Sequence, residues 1–255
     1  MKLAANYCIY ENSGHLAESV FRIYPLVDKI LFSLNFNPWA GVANPSLLAE
    51  SYSDILKLPD PDNKFEIVTN YWKNETDQRN AAKAYLEKLG FDWYWLIDDD
   101  EMYNRDEIKY AISFIKSGPN DVHTYLIKQK MYWKSKDYVI SEILAGLPVF
   151  IRCNNQAYHN MNRAVIVNGF WHTFPQDKIV MHHFSYVRSD EKIKRKISMF
   201  SHSNEIKHNW FDTVWMNWTP DMENISPTNP TSWKKAVLAN TLPSKLENIT
   251  SLKLK

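Results

Sequence analysis

Three things are scarce in this sequence of 255 residues: net charge, cysteine and long apolar runs. Thirty Lys and Arg residues face 29 Asp and Glu residues, so the net charge of +1 gives no strong field to recruit nucleic acid or a membrane surface. Cys8 and Cys153 are too few for a disulfide framework, and their apolar contexts predict reduced core residues. Because no apolar run has the length of a membrane span and the N-terminus lacks a signal-peptide profile, we expect a cytoplasmic protein.

The remaining composition is that of an ordinary globular protein, with 45% hydrophobic and 23% charged residues. We expect a single α/β domain over residues 1–223. Residues 224–255, which are rich in Pro, Ser, Thr and Asn, are predicted to form a C-terminal tail or extension. Aromatic residues make up 14% of the chain. Most should lie in the core, but this enrichment also favours a cleft that stacks flat or ring-shaped ligands.

The chain opens with a strand–helix–strand pattern. Residues 3–10 and 27–34 are apolar runs typical of buried strands, and residues 15–23 carry apolar side chains at helical spacing. Such a unit predicts parallel strands joined by a right-handed crossover. Ligands of open parallel sheets bind beyond the carboxyl ends of the strands, so we expect a site at the loop after residue 10.

The most informative stretch is an aromatic strand, residues 93–97, that ends in the four carboxylates Asp98, Asp99, Asp100 and Glu101. Their mutual repulsion calls for a positive partner, and a hard divalent cation such as Mg²⁺ or Mn²⁺, which also binds phosphates, fits that need. On an extended chain Asp98 and Asp100 point the same way, whereas Asp99 points oppositely and Glu101 begins the next loop. The alternatives are a solvated acidic loop and the N-cap of the helix that follows.

Four segments, in this order, resemble GT-A fold glycosyltransferases, and among them glycosyltransferase family 2. They are residues 7–30, 78–80 (Gln-Arg-Asn), 96–101 with its Asp-x-Asp-Glu (the DxD motif), and 182–189 with its two histidines. The resemblance implies an α/β fold of the GT-A (Rossmann-like) type, with a mostly parallel sheet flanked by helices and a C-terminal helical extension. It also implies a transferase that moves a sugar from a nucleotide-sugar donor, UDP- or GDP-linked, to a hydroxyl acceptor.

The resemblance also suggests roles for individual residues. Asp100 would hold Mn²⁺ or Mg²⁺, and Asp98 would be a second ligand or bind ribose. Strand alternation lets only one of His182 and His183 face this metal, and the matching segment favours His183. The nucleotide sugar would contact Tyr10, Glu11, Arg79, Asp98, Arg188 and Lys192. The acceptor or sugar would stack on Tyr132, Trp133 or Trp171.

The catalytic base and the acceptor stay open. An inverting enzyme needs a carboxylate near the acceptor hydroxyl, for which Asp137 and Glu142 are candidates, whereas a retaining enzyme needs none there. The acceptor could be a glycan, a lipid, a protein or a modified base; the near-zero net charge argues against strong nucleic-acid binding, although residues 192–196 are basic. Two other functions remain: a non-catalytic sugar-nucleotide or glycan-binding module with a structural metal, and a metal-dependent nucleotidyltransferase.

Overall fold

The first half of the fold alternates strands and helices. A computed structural model describes residues 1–154, 156–228 and 233–239. Three strands of this half, Leu3–Ile9, Lys29–Asn35 and Trp93–Ile97, are buried on both faces, which is why a sequence such as Leu-Ala-Ala-Asn-Tyr-Cys-Ile is a nearly continuous apolar run. The elements in chain order are β1 (Leu3–Ile9), α1 (Leu16–Ile23), β2 (Lys29–Asn35), α2 (Pro45–Leu56), β3 (Phe65–Asn70), α3 (Glu75–Lys88) and β4 (Trp93–Ile97).

The second half contains mainly strands. It also has short helical turns at Ser203–Glu205 and Phe211–Trp215; a similar turn, Tyr24–Leu26, follows α1 in the first half. The elements after β4 are β5 (Glu101–Met102), α4 (Arg105–Ser117), β6 (Val122–Trp133), β7 (Ser135–Ile140), β8 (Leu144–Arg152), β9 (Ala157–Met161), β10 (Ala164–Val167), β11 (Phe170–Thr173), β12 (Met181–Tyr186), α5 (Asp190–Met199) and β13 (Ala236–Leu238).

One large sheet runs through the molecule in the strand order β13-β7-β6-β8-β4-β1-β2-β3. The strands β3, β2, β1 and β4 are all parallel, as the strand–helix–strand pattern predicts. Beyond β4 the sheet is mixed, because β8 and β6 are antiparallel neighbours, while β11 and β12 pair in parallel with β6. The predicted α/β fold of Rossmann-like GT-A type is confirmed, with parallel order confined mainly to the first half.

Helix starts are fixed by local sequence. In α2, α3, α4 and α5 the residue before the first turn uses a side-chain oxygen to accept a hydrogen bond from a backbone N–H two or three residues later. These capping residues are Asn44, Asn74, Asn104 and Ser189. Because α3 and α5 are both capped in this way, each begins at a defined residue, which fixes the positions of the basic side chains that follow.

The chain after residue 223 is packed onto the domain where the structure describes it. Ile225 and Ala236 are fully buried, and β13 pairs with β7. These contacts continue the core past the predicted boundary at residue 223, which stays a prediction, and residues 240–255 of the predicted tail lie outside the described part. None of the helices in that part is both long enough and apolar enough to cross a membrane.

Candidate active site

A cleft of about 460 Å³ lies at the carboxyl ends of β1 and β4. This is the edge at which ligands of open parallel sheets bind, as the sequence predicts. The residues after β4 form one wall, and the segment from β12 to α5 forms another. Most of the predicted ligand-binding residues line this cleft, namely Tyr10, Glu11, Arg79, Asp98, Asp100, His183 and Arg188.

Asp98 is held between two arginines. Arg79 Nη2 lies 3.1 Å from Asp98 Oδ1, and Arg163 Nη1 lies 3.2 Å from Asp98 Oδ2. Arg79 is also paired, one helical turn back, with the buried Glu75 at 2.7 Å. Burial acts to raise the pKa of Asp98, but the charges of Arg79 and Arg163 outweigh it and hold that pKa below its usual value. Asp98 is therefore ionised and oriented from the side of α3.

Asp100 receives its positive partners from the other wall. Arg188 Nη2 donates a 2.5 Å hydrogen bond to Asp100 Oδ2, and Lys196 Nζ lies 3.8 Å from the same oxygen. His183 Nε2 is 3.1 Å from Asp100 Oδ1. Burial acts to raise the pKa of Asp100, but the neighbouring His183, Lys196 and Arg188 lower it well below its usual value. Burial in turn lowers the pKa of Lys196 to about 8.

Asp99 and Glu101, the other two carboxylates of residues 98–101 (the acidic turn), have partners within the fold. Asp99 Oδ2 accepts a 2.5 Å hydrogen bond from the backbone N–H of Ser13, which ties the acidic turn to the loop after β1. Its pKa is raised by burial and by the adjacent charge of Asp100. Glu101 is fully buried and binds Arg163 through both carboxylate oxygens. Residues 98–101 form a turn, closed by a 3.0 Å hydrogen bond from the backbone N–H of Glu101 to the carbonyl of Asp98, and not the extended chain that the predicted alternation requires. Asp99 lines the cleft together with Asp98 and Asp100, while Glu101 has an internal partner.

The two histidines of β12 face opposite ways. His183 Nδ1 lies 3.0 Å from Gln129 Oε1, while its other nitrogen meets Asp100. His182 is buried on the other face, where its Nδ1 lies 2.9 Å from Tyr132 Oη, and burial lowers its pKa to about 3. The structure therefore places His183 beside the acidic turn, as the matching segment suggests, and excludes His182 from it.

The end of β1 is tied to both α2 and α5. Tyr10 Oη accepts a hydrogen bond from the backbone N–H of Asn44, and Glu11 is paired with Arg195 at 2.7 Å. Lys192 does not line the cleft; its Nζ donates to the backbone carbonyl of Asn12 at 3.0 Å. This lysine supports the loop that carries Tyr10 and Glu11. Because Lys192 lies outside the lining of the cleft, the structure does not place it where the predicted contact with the nucleotide would form.

Five further predicted site residues are not brought to the cleft wall. Tyr132 and Trp133 are only 2% and 0% exposed, because their rings pack in the core, so their predicted stacking role is wrong. Trp171 is exposed, but it pairs with Thr124, whose strand reaches the cleft only seven residues later at Met131. Asp137 and Glu142 lie on and just beyond β7, outside the cleft, so the structure assigns neither a base role there.

Sequence reasoning missed two basic residues of the site. Arg163 lies in the two-residue turn between β9 and β10, and nothing in its sequence neighbourhood marks it as a partner of residues 98–101. Lys196 carried a usable signal, because it lies three residues after the fully buried Ile193 and hence on the inner face of α5. Trp39 also lines the cleft, and the centre of its ring lies 5.8 Å from Arg79 Cζ.

The site is close to charge balance without a metal. Four cations, Arg79, Arg163, Arg188 and Lys196, face the four carboxylates of the acidic turn and Glu75. Within the described ranges no group of three or more His, Cys, Asp or Glu side chains is arranged to hold a metal ion. Asp100 and His183 still supply two converging donor atoms. A cation that also binds phosphate needs only one or two carboxylates, so this pair fits a partial site completed by a ligand.

The comparisons with known proteins give no assignment. No family model and no curated protein matches the chain. Among solved structures, residues 1–349 of TarS from S. aureus align at 16% identity with a TM-score of 0.36, over 51% of this chain and 36% of that one. A mycobacterial protein aligns at 10% identity and a TM-score of 0.35, over 51% and 41% of the two chains.

Mannose-1-phosphate geranyltransferase from Thermus thermophilus aligns at 9% identity with a TM-score of 0.35, over 61% of this chain and 51% of that one. This chain therefore spans about a third to a half of the length of these structures. At such scores the likenesses carry no argument about function, and the functional conclusion depends on the site itself.

Proposed function

We propose that this chain is a nucleotide-sugar-dependent glycosyltransferase whose cleft binds the diphosphate of a UDP- or GDP-linked donor. The observation that carries the proposal is a pair of arginines on the cleft wall, each with a buried N–H that has no hydrogen-bond partner among the residues that the structure describes. These atoms are Nη1 of Arg79 and Nε of Arg188. Both side chains are more than nine-tenths buried.

An unpaired buried donor on a charged group costs about 1–3 kcal/mol or more. Both donors belong to side chains that line the cleft, and an anionic ligand that drew the two guanidinium groups toward it would pair them. Diphosphate oxygens are the matching acceptors, because guanidinium groups bind phosphate through paired N–H bonds. In sugar transfer, negative charge grows on the diphosphate as the glycosidic bond breaks. Arg188 and Lys196 would stabilise that charge from the wall formed by β12 and α5.

The acidic turn would hold the rest of the donor. Asp98 lies beside Arg79 and is ionised, so it is an acceptor for ribose or sugar hydroxyls. Asp99, through Ser13, would fix the loop that presents Tyr10 and Glu11 to the nucleoside. The acceptor is a hydroxyl compound whose class stays open, and the cytoplasmic location expected from the sequence stays a prediction.

Metal dependence is a separate part of the proposal. Asp100 and His183 would hold Mn²⁺ or Mg²⁺, which supplies Lewis-acid stabilisation of the diphosphate when bound. Because Arg188 and Lys196 already neutralise Asp100, we expect the metal to bind only together with the nucleotide. Thermal-shift measurements with metal alone, UDP or GDP alone, and both together test this. A larger shift with both than the sum of the separate shifts is expected; insensitivity to EDTA in binding and turnover would rule the metal out.

The function is tested with UDP-, GDP- and TDP-sugars plus Mn²⁺, measuring release of the nucleoside diphosphate. Slow hydrolysis of one donor is expected. Release of pyrophosphate in reactions with a nucleoside triphosphate and a sugar phosphate would instead indicate a nucleotidyltransferase. Nucleotide binding without any turnover across acceptor panels would indicate a binding module, and the absence of both binding and turnover would overturn the proposal.

Matched lysines of α5 give the control. Lys196→Met removes a cation that lies beside Asp100 and has a side chain only 15% exposed, whereas Lys194→Met removes an exposed cation that lies over the ring of Phe211. We expect Lys196→Met to weaken nucleoside diphosphate binding by about tenfold or more, and Lys194→Met to leave it unchanged. Equal effects would mean that general positive charge, rather than this site, holds the nucleotide.

A further inference from the structure

A histidine–glutamate pair at the cleft lies outside the charge network of the acidic turn. His202 and Glu205 both line the cleft, and His202 Nδ1 lies 2.9 Å from Glu205 Oε1. They belong to the segment after α5, at and within the helical turn Ser203–Glu205. Such an exposed pair adds little to stability, whereas its position in the cleft lets it act on a ligand.

The hydrogen bonds of His202 determine which of its ring nitrogens can take up a proton. A carboxylate only accepts hydrogen bonds, so Nδ1 carries the hydrogen that points to Glu205. Nε2 is then the basic nitrogen, and it lies 3.4 Å from Nδ2 of Asn162, an amide donor that matches it. The ring therefore has the arrangement of an imidazole base that is oriented by a carboxylate.

Asn162 connects this ring to the acidic turn. It also lines the cleft, and Arg163, the next residue of the chain, places its Nη1 3.2 Å from Asp98 Oδ2. The side chain of His202 is 46% exposed, so the ring lies at the open side of the cleft. An acceptor hydroxyl that enters from solvent can therefore reach Nε2.

The other carboxylates and the other imidazole of the cleft are engaged within the fold. A paired cation holds a carboxylate in its ionised form and so weakens it as a base. Glu11 and Glu75 are paired with arginines, and the carboxylates of the acidic turn are bound by cations or by a backbone N–H. His183 has a partner at each ring nitrogen. Among the described residues that line the cleft, His202 Nε2 is thus the oriented basic nitrogen that remains for an acceptor.

We propose that His202 is the general base of the transfer and that Glu205 is its positioning residue. This inference rests on the proposed function and adds that the transfer is a direct, inverting displacement. His202 Nε2 takes the proton of the acceptor hydroxyl while the hydroxyl oxygen forms its bond to the anomeric carbon of the donor sugar. The bond from that carbon to the diphosphate oxygen breaks, and its electron pair leaves with the nucleoside diphosphate. The exposed imidazole then returns the proton to solvent.

Donor hydrolysis tests this role, with water as the acceptor and the nucleotide sugar that is turned over fastest as the donor. His202→Gln should lower kcat by about a hundredfold or more, while the Kd of UDP or GDP stays unchanged. The wild-type kcat should fall at low pH, where the imidazole is protonated, and this fall should be absent in His202→Gln. Added imidazole should restore part of kcat in His202→Ala, because the shortened side chain leaves room for it.

Glu205→Gln separates a positioning role from a structural one. Glu205 is the charged group that contacts the His202 ring; its other neighbours, the Asn162 amide and the Phe200 ring 5.9 Å away, are neutral. The variant should lower kcat by about tenfold and move the acid limb of the pH profile to lower pH, because the lost charge no longer favours the protonated ring. A loss of kcat with the acid limb unmoved would overturn this role of Glu205.

His208→Gln is the matched control, because it removes another exposed histidine that lies outside the cleft lining. It should leave kcat and the pH profile unchanged, and a loss equal to that of His202→Gln would overturn the assignment. If His202→Gln keeps the wild-type rate and pH profile, the base is wrong and the proposed function stands. If it weakens nucleotide binding as much as it lowers turnover, His202 is a donor contact and not the base. If the wild-type chain turns over no donor, the proposed function fails and the base with it.

Discussion

Replacing Arg163 should expose how far the acidic turn depends on a cation from a distant hairpin. All three guanidinium nitrogens of Arg163 are engaged. Nη2 donates to Glu101 Oε2 at 3.1 Å and to the carbonyl of Leu96 at 3.2 Å, Nη1 donates to Asp98 Oδ2 and Glu101 Oε1, and Nε donates to the carbonyl of Pro148. Glu101 itself is fully buried. Arg163→Met therefore leaves a carboxylate in the core without its counter-charge.

Breaking a buried pair from one side costs about 3–5 kcal/mol, a large part of the 5–15 kcal/mol of a typical domain. For a chain of this size that is a fall of roughly 10 °C in Tm. Urea unfolding followed by tryptophan fluorescence measures the loss. Arg163→Lys keeps the charge but loses the paired N–H geometry, so we expect an intermediate loss.

The double variant Arg163→Met with Glu101→Gln removes both partners and should recover a large part of the lost stability, as a coupling energy of about 2 kcal/mol. The loss should also depend on pH. Burial raises the pKa of Glu101, Arg163 opposes this, and without Arg163 the pKa rises further. A raised native pKa of a carboxyl favours its protonated form, so the deficit of Arg163→Met should be smaller at pH 5 than at pH 8.

Three results would refute this reasoning: a loss below about 1 kcal/mol at pH 7.5, the same loss at pH 5, or no recovery in the double variant. The first would show that the surrounding groups or water solvate Glu101 without Arg163. The second would show that Glu101 does not change its ionisation. The third would mean that Arg163 stabilises the fold by packing rather than by its charge.

Two other predictions concern stability away from the cleft. Asp60 accepts a 2.6 Å hydrogen bond from Tyr24 Oη and two from backbone N–H groups; burial opposes its ionisation, but these bonds lower its pKa. Asp60→Asn should cost about 2 kcal/mol in urea unfolding at pH 7. This difference should shrink progressively as the pH falls below about 4, because protonation of Asp60 then removes the contribution of its lowered pKa. Gly169 and Gly90 both have positive φ, but a Cβ at Gly169 would lie 2.5 Å from the His123 ring, whereas one at Gly90 meets nothing within 4 Å. In thermal melts Gly90→Ala should cost about 1 kcal/mol and Gly169→Ala clearly more, and equal losses would contradict the steric part of this account.

The parallel half of the sheet could be predicted because its signals are local. Each of β1, β2 and β4 is a mainly apolar run, and the turn residues and helical spacing between them leave few other topologies. The mixed half was harder. The strands β7 and β9 contain polar residues and alternate only partly in burial, so their sequences resemble loops until a partner strand covers them.

The roles of the aromatic residues could not be divided correctly from the sequence. Trp133 and Trp171 occur in similar strand-like contexts, yet one is at the centre of a cluster with Trp210 and Trp215 and the other is exposed. Whether a ring in a strand faces the core, the solvent or a cleft depends on which strands flank it. Trp233 reaches the cleft only because β13 pairs with β7, a contact that joins residues about a hundred positions apart.

The acidic turn shows where a correct physical premise led to an incomplete answer. Four carboxylates at a strand end do need positive partners, but Arg163 and Arg188 supply them from 62 and 88 residues away from the carboxylates they bind. Arg79 and Lys196 add two further cations. Together the four cations leave one net negative charge on the five carboxylates of the acidic turn and Glu75. A nucleoside diphosphate would add further negative charge to a buried site, and that charge is costly to leave uncompensated. The diphosphate charge would therefore favour the binding of a divalent cation, which the site without nucleotide does not favour. For this reason we expect nucleotide and cation to bind cooperatively.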